Sequence, residues 1–133
     1  MNNLYLTNSL NNKKEVFNPI NPEKVSMYAC GPTVYDNPHV GNARALVVFD
    51  LLFRILIEIY GKQKVIYVRN ITDIDDKIIE ASKNKKIDIS DLTKTITKKF
   101  HNDCKSLFCL SPTKEPRATD HVISMIKMTE KLI

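Results

Sequence analysis

Two polar segments of the sequence carry side chains suited to binding and chemistry. The first lies between a predicted strand and a predicted long helix and consists of Cys30, Gly31, Pro32, Thr33, Val34, Tyr35, Asp36, Asn37, Pro38, His39, Val40, Gly41 and Asn42. A helix N-terminus presents free amide donors and a partial positive charge, which suit a phosphate. Gly41 leaves the helix entrance free of a side chain, and His39 can donate to a phosphate oxygen. A helix start that His39 and Asn37 only cap, and that Gly41 only helps to pack, explains the same residues.

Cys30 ends the predicted strand at the mouth of this crevice. A single cysteine in a strand is ordinarily a small apolar core residue, and the functional alternative is a zinc thiolate. No second Cys or His lies nearby at zinc-finger spacing. His101, Cys104 and Cys109 are close in sequence, but Cys104 falls on the apolar stripe of a predicted helix. We therefore interpret that trio as structural.

The second polar segment, residues 68–77, leaves the next predicted strand at its carboxyl end. Ligands of open α/β sheets lie beyond the carboxyl ends of the strands, so both segments are expected to border one crevice. Thr72 and Asp73 are placed to bind a substrate ammonium group. Asp75 and Asp76 stand where helix-capping carboxylates belong.

The elements that position these segments follow from the hydrophobic pattern. The predicted elements are a hairpin (residues 4–8 and 15–17), a buried strand (25–30), a long helix (41–60) that Gly61 stops, and a second strand (64–69). A strand, a helix packed on it and another strand make a βαβ unit with a parallel strand pair. The predicted fold class is therefore α/β.

The long helix carries Asp50, Arg54 and Glu58 on one face at favourable spacing. Nearly all its other residues are apolar, so we expect it to be covered on most sides.

Further helices are predicted downstream. One covers residues 75–85, and Ser90 opens another that closes before Pro112. The inward stripe of that helix is Leu92, Ile96, Phe100, Cys104, Leu107 and Phe108. A last helix is expected to start at Thr119 and to run on at Ile133, which is typical of a chain cut within a larger protein.

Composition is that of an ordinary globular domain, with 133 residues, 43% of them hydrophobic and 26% charged. The polar residues 1–3 argue against a signal peptide, and the charges within residues 43–60 argue against a membrane span. Three cysteines without a CxxC pair fit reduced thiols in a cytoplasmic protein. A net charge of +5 is a weak indication of a polyanionic partner. The chain has neither G-x-G-x-x-G nor G-x-x-x-x-G-K, so dehydrogenase and P-loop interpretations both fail.

Taken in order, these segments resemble the cysteinyl-tRNA synthetases along almost the whole chain. Residues 27–36 are similar to the first block of that family, and residues 39–42 to the class I HIGH signature. Residues 67–79 are similar to its second block, and residues 115–121 to its third. A match to HIGH alone is weak, but three ordered blocks with a cysteine in the first are highly specific.

The resemblance implies the first half of a Rossmann-like nucleotide-binding fold, with a short N-terminal hairpin and C-terminal helices. It implies one domain, residues 1–133, as the N-terminal part of a class I catalytic domain. Residues from about 90 to 133 would enter the helical part of its connective insertion.

The resemblance also implies roles for the matching positions. Cys30 would be one ligand of a Zn²⁺ ion, whose other ligands lie outside this chain and which would hold the thiolate of substrate cysteine. His39, Gly41 and Asn42 would bind ATP with Mg²⁺, and His39 and Asn42 would stabilise charge at the α-phosphorus. The amino-acid pocket would be lined by Cys30, Gly31, Thr33 and Thr72.

The implied activity is ATP-dependent ligation of L-cysteine to tRNA-Cys through a cysteinyl-adenylate, by a cytoplasmic protein that is expected to be a monomer and to have no membrane partner. Two departures stand against it. Asn42 replaces the final His of the signature. The KMSKS loop, the remaining zinc ligands, the second half of the nucleotide fold and the anticodon-binding domain are missing from the sequence, so we expect the chain to be inactive alone.

Two alternatives stay open on the residues. The cysteine ligase of mycothiol synthesis shares the zinc and adenylation chemistry but joins cysteine to an amino-sugar. A non-catalytic module that binds nucleotide or tRNA would need no further catalytic residues. A plain structural α/β domain leaves the clustering of the blocks at one crevice unexplained.

Overall fold

The computed structural model describes residues 3–133, so Met1 and Asn2, which belong to the predicted domain and to the polar N-terminus, lie outside the described residues. The elements are β1 (Tyr5–Asn8), β2 (Lys13–Val16), β3 (Val25–Ala29), α1 (Val40–Tyr60), β4 (Val65–Arg69), α2 (Asp76–Lys85), α3 (Ile89–Ser106) and α4 (Val122–Glu130), with 3₁₀ turns at Lys62–Lys64 and Thr119–His121. This mixed order of strands and helices confirms the predicted α/β class.

The first two strands form the predicted hairpin. β1 and β2 pair antiparallel, with Tyr5 opposite Val16. In the turn, the Oδ1 atom of Asn8 accepts a hydrogen bond from the N–H of Leu10 at 3.0 Å. Asn12 takes a left-handed conformation with φ at 56°, which asparagine tolerates better than most residues.

A parallel strand pair with a crossover helix forms the centre of the fold. β3 and β4 pair in parallel, with Val25 opposite Val65. One apolar cluster joins α1 to both strands and contains Val25, Ala29, Phe53, Leu56, Val65 and Tyr67. The predicted βαβ unit is therefore confirmed, and Gly61, with φ at 90°, ends the helix as expected.

β4 has a second parallel neighbour that the hydrophobic pattern did not predict. The N–H of Arg69 donates to the main-chain oxygen of Lys114 at 3.1 Å, and the N–H of Ile71 donates to that of Pro116 at 2.9 Å. Pro112, just before this stretch, and Pro116 within it interrupt the alternation from which a strand is predicted. β4 is therefore the central strand, between β3 and residues 113–118.

A second apolar cluster joins the loops after β3 and β4 to α2 and α3. It contains Val34, Leu46, Ile71, Ile78, Leu92, Ile96, Phe100 and Cys104. The end of the predicted α3 stripe is wrong: Leu107 and Phe108 are exposed, because the helix ends at Ser106 and Phe108 takes a φ of 56°. The predicted start is also two residues off, since the carboxylate of Asp88 caps the helix by accepting from the N–H of Ser90 at 2.7 Å.

The charged face of α1 fixes the end of α3. Asp50 is buried and accepts from Nε of Arg54 at 2.7 Å and from the N–H of Leu110 at 2.7 Å. Arg54 also donates to the main-chain oxygen of Phe108 at 2.7 Å. The predicted charge pair between Asp50 and Arg54 thus also anchors the chain that leaves α3.

The prediction that α1 is covered on most sides is wrong for the described residues. The strands cover one side of the helix, where Phe53 and Leu56 are buried. On the other side, Val48 and Leu51 are each 57% exposed. The apolar sequence of a helix indicates how much of its surface favours burial, but not which neighbours cover it.

None of the residues of α4 is buried. The helix ends at Glu130, where the N–H of Lys131 donates to the main-chain oxygen of Met128 at 3.1 Å in a tighter turn. The expectation that it runs on at Ile133 is therefore wrong. Within residues 3–133, none of the helices combines the length and the apolar character that crossing a bilayer requires.

Candidate active site

The two polar segments meet at the carboxyl ends of β3 and β4. The N–H of Gly31 donates to Oδ1 of Asn70 at 2.9 Å. A Cβ atom added at Gly31 would lie 1.6 Å from the main-chain oxygen of Asn70, so this approach requires glycine. The contact sets the position of the neighbouring Cys30 relative to the second strand.

Main-chain bonds continue this pairing one step further along both segments. The N–H of Val34 donates to the main-chain oxygen of Thr72 at 3.1 Å, and the N–H of Thr72 donates to that of Pro32 at 3.0 Å. These bonds place Thr33 beside Thr72 as in a parallel sheet. Two predicted pocket residues from distant parts of the sequence are therefore neighbours.

His39 and Asn42 form a reciprocal cap at the start of α1. Nδ1 of His39 accepts from the N–H of Gly41 at 3.0 Å, and Oδ1 of Asn42 accepts from the N–H of His39 at 3.0 Å. Because Nδ1 accepts, a neutral imidazole carries its hydrogen on Nε2. The capping interpretation is thus correct for His39, and it leaves the other ring nitrogen as a donor.

Gly41 makes room for this ring. An added Cβ would lie 2.8 Å from Cε1 and 3.0 Å from Nδ1 of His39. Such distances force the ring to move, so glycine is required by the position of the imidazole and not by a left-handed backbone.

Three cavities open at this helix entrance, and two of them also reach Gly31, just after β3. The larger of these two, of about 270 Å³, is lined by Gly31, Pro32, Thr33, Val34, Tyr35, Asp36, Asn37, Pro38, His39, Asn42, Ile96 and Phe100. A smaller one, of about 80 Å³, is lined by Cys30, Gly31, Pro32, Asn42, Ala45, Leu46, Phe49, Tyr67, Arg69 and Phe100. The two cavities share Gly31 and Asn42, so Cys30, Thr33 and His39 lie around one crevice. Thr72 lies beside Thr33 and lines neither of these two cavities.

Cys30 is exposed, and its Sγ atom lies 3.6 Å from the main-chain oxygen of Gly31. It is therefore not an apolar core residue. Among residues 3–133, no three His, Cys, Asp or Glu side chains come together as a metal-binding group. Cys30 thus fits a metal ion as a single sulfur donor, and a complete site needs donors from outside this stretch.

Lysines from α2 and α3 hold the outer part of the loop. Oδ1 of Asn37 accepts from Nζ of Lys99 at 2.9 Å, so Asn37 is not a helix cap. Nζ of Lys85 lies 3.4 Å from Oδ1 of Asp36. A hydrogen bond from the N–H of Asn37, followed by the Lys85 ammonium, lowers the pKa of the exposed Asp36.

Asp73 is not free to bind a substrate ammonium group, contrary to the expectation from the sequence. Its buried carboxylate accepts from the N–H of Thr119 at 3.0 Å, from the Thr119 hydroxyl at 2.7 Å and from Nε of Arg117 at 2.9 Å. Burial raises the pKa of Asp73, but these hydrogen bonds outweigh it and hold the pKa below the ordinary value of 3.8. Asp75, in contrast, caps α2 as predicted by accepting from the N–H of Lys77 at 2.9 Å.

A buried charge network beside the crevice was missed by the sequence interpretation. Arg69 donates to Oε1 of Glu115 at 2.6 Å, and Nε2 of His101 lies 2.6 Å from Oε2 of the same carboxylate. The guanidinium carbon of Arg69 lies 4.8 Å from the centre of the Phe100 ring. The available signal was an arginine at the end of an otherwise apolar strand, which requires a partner when it is buried.

Cys104 lies next to this network in the core. Burial raises its pKa to about 11, so the thiol stays protonated at neutral pH. Its burial in the apolar cluster supports the structural interpretation of Cys104.

Residues 16–133 match the family of class I (C) tRNA synthetase catalytic domains. The chain belongs to this family. Its βαβ unit, with β4 between two parallel neighbours, is accordingly the first half of the nucleotide-binding fold of a class I synthetase.

Individual relatives are similar over nearly the whole chain. The chain is 57% identical to the cysteine–tRNA ligase of Pelagibacter ubique over 98% of its length, and 57% identical to that of Rickettsia bellii over 98%. It is 55% identical to that of Rickettsia prowazekii, also over 98%. The matched part is 29%, 28% and 28% of these relatives, so the chain spans less than a third of the synthetases it matches.

Proposed function

We propose that this chain forms the nucleotide site and part of the amino-acid pocket of a synthetase that joins L-cysteine to tRNA-Cys through a cysteinyl-adenylate. One arrangement carries the proposal. Bonds between the two strand ends bring the Cys30 sulfur and the His39–Asn42 cap around one crevice at a helix N-terminus. The choice of cysteine and tRNA is supported by the names of the similar ligases.

The cap prepares two donors for the phosphates of ATP. Nε2 of His39 carries the hydrogen of the neutral ring, and Nδ2 of Asn42 makes no hydrogen bond within residues 3–133. Asn42 therefore keeps a donor although it replaces a histidine. A carboxylate oxygen of cysteine would bond to the α-phosphorus, while the bond to the β-phosphate oxygen breaks and pyrophosphate leaves with Mg²⁺. His39 and Asn42 would stabilise the charge that develops on the phosphate oxygens.

Zinc is proposed to bind Cys30 together with donors outside this chain. The exposed sulfur is free to act as one ligand. A bound zinc ion favours a thiolate over a hydroxyl, which would separate cysteine from the nearly isosteric serine. The proposed amino-acid pocket comprises Cys30, Gly31, Thr33 and Thr72.

The remaining features of the proposal concern the whole protein. We propose a cytoplasmic monomer in which residues from about 90 to 133 begin the helical insertion of the catalytic domain. Contact with tRNA and selection of its anticodon would fall largely to parts of the synthetase beyond this chain. The net charge of +5 on this chain would add a weak attraction to the tRNA phosphates.

Pyrophosphate exchange tests the proposal. The protein expressed from the complete gene should exchange pyrophosphate into ATP with L-cysteine and far more slowly with L-serine. Cys30→Ser should keep the free energy of unfolding, since Cys30 is exposed, but lose bound zinc and most of the exchange. No cysteine-dependent exchange by the wild-type protein would contradict the proposal. Transfer of cysteine to an amino-sugar would support the mycothiol-type ligase, and ATP binding without exchange would support the non-catalytic module.

A further inference from the structure

Asn70 links three groups around the proposed amino-acid pocket. Its Oδ1 atom accepts from the N–H of Gly31 at 2.9 Å and from the hydroxyl of Tyr28 at 3.0 Å. Its Nδ2 atom donates to Oγ1 of Thr72 at 3.0 Å. One amide side chain therefore spans the ends of β3 and β4.

The orientation of this amide is fixed by the main chain. The N–H of Gly31 can only donate, so the atom of Asn70 that faces it must be the oxygen. The nitrogen then has to face Thr72, whose hydroxyl oxygen must accept. If the amide were turned so that Oδ1 and Nδ2 changed places, the N–H of Gly31 would face another donor and lose its hydrogen bond.

The hydroxyl hydrogen of Thr72 is left free by this arrangement. Oγ1 of Thr72 accepts from Asn70 and makes no other hydrogen bond within the described residues. A hydroxyl that accepts one bond retains its hydrogen as a donor. Such a donor suits an oxygen of the amino-acid carboxylate or of the adenylate.

We infer that Asn70 is a positioning residue for the amino acid: it locks the Gly31 end of the pocket to Thr72 and makes the Thr72 hydroxyl a donor toward the substrate. The inference rests on the proposed function. It assigns the placement of the Thr72 hydroxyl to Asn70, and that hydroxyl would donate its free hydrogen to a substrate oxygen.

Kinetics of the protein expressed from the complete gene test this inference. Asn70→Asp keeps an acceptor for Gly31 but removes the donor to Thr72. In cysteine-dependent pyrophosphate exchange, the KM for cysteine should rise about tenfold, the loss expected for one hydrogen bond. The KM for ATP should stay within about twofold, since the variant does not touch the His39 cap. Thr72→Val should raise the KM for cysteine similarly, and Thr72→Ser should not.

A double-mutant cycle separates positioning from general damage. Adding Asn70→Asp to Thr72→Val should cause little further change, because the first substitution acts through the second residue. Asn70→Ala, which adds no charge, should show the same coupling if Asn70→Asp fails to fold. Asn102→Asp makes the same chemical change at an exposed site on α3 and serves as the matched control.

The outcomes distinguish this inference from the proposed function. The role of Asn70 would be overturned if Asn70→Asp and Thr72→Val acted independently. It would also be overturned if Asn70→Asp left the KM for cysteine unchanged, or raised the KM values for cysteine and ATP equally. Wild-type protein without cysteine-dependent exchange would overturn the proposed function and this inference together.

Discussion

The imidazole of His39 and the hydrogen at Gly41 occupy adjoining space at the start of α1, so they act as a pair. Gly41→Ala should push the ring away and break the bond to Nδ1. The free energy of unfolding should change by less than about 1 kcal/mol, because the lost cap is opposed by the higher helix propensity of alanine. In the protein expressed from the complete gene, however, the KM for ATP in pyrophosphate exchange should rise about tenfold.

Val48→Ala is the control for this substitution, since Val48 is exposed on the same helix and far from the cap. It should leave the KM for ATP unchanged. An unchanged KM in Gly41→Ala would mean that the displaced ring does not contact the nucleotide.

The sequence predicted which single residues lie at the crevice, but it did not predict which residues form hydrogen bonds around it. Cys30, His39 and Asn42 were placed at one crevice because each lies at the end of a strand or the start of a helix. Asn70 was not singled out, because an amide that bridges two strand ends leaves no periodic trace in the sequence. Asp73 was assigned to substrate because its partners, Arg117 and Thr119, lie more than forty residues further along the chain.

At the scale of elements, Asp73 ties the end of β4 to the segment that leads into α4. Asp73→Asn should lower the free energy of unfolding of the 133-residue chain by about 1–3 kcal/mol at neutral pH, because Arg117 loses its charged partner. Urea unfolding followed by circular dichroism measures this loss.

The contribution of the Asp73 carboxylate to the free energy of unfolding is expected to depend on pH. The pKa of Asp73 is lower in the folded chain than its ordinary value of 3.8, so its contribution to stability is complete above that value. The contribution is lost as the pH falls from there through the lowered pKa of the folded chain. The free energy of unfolding of the wild type should therefore fall more than that of Asp73→Asn on acidification. Equal decreases in the two proteins would contradict the proposed contribution of the Asp73 contacts with Arg117 and Thr119.

Substitutions at two leucines of α1 can show which side of that helix is buried. Leu56 is 2% exposed and packs in the cluster around β3 and β4, whereas Leu51 is 57% exposed. In the 133-residue chain, Leu56→Ala should lower the free energy of unfolding by about 2–5 kcal/mol. Leu51→Ala should lower it by less than about 1 kcal/mol, and equal losses would show that the second side is covered as well.

Elements with a regular pattern were predicted to within one or two residues. The hairpin, the βαβ unit and α2 all have clear periodicity or turn residues. The third parallel segment, residues 113–118, was missed since Pro116 interrupts its pattern and its parallel pairing with β4 depends on main-chain bonds. Which side of α1 is buried depends on the elements that pack against it, and the sequence of the helix does not specify these elements.

For the molecule as a whole, Cys30 is the one cysteine that lines the proposed crevice, and no three possible metal donors come together within residues 3–133. The 133-residue chain should therefore give no cysteine-dependent pyrophosphate exchange, although the protein from the complete gene should give it. The physical reason is that the proposed zinc site has one donor in this chain, and one thiolate does not hold the ion. Turnover by the purified 133-residue chain would contradict this, and intact secondary structure by circular dichroism would control for unfolding.

The contact between Gly31 and the carbonyl oxygen of Asn70 leaves no space for one more carbon atom. Where Gly31 meets Asn70, the wall of the crevice is consequently made of main-chain atoms, which are the same whatever amino acids occupy the neighbouring positions. Point mutations cannot reshape such a surface by small steps. A change in what the crevice accepts is therefore expected from side chains that line it, such as Ile96 and Phe100, and not from position 31.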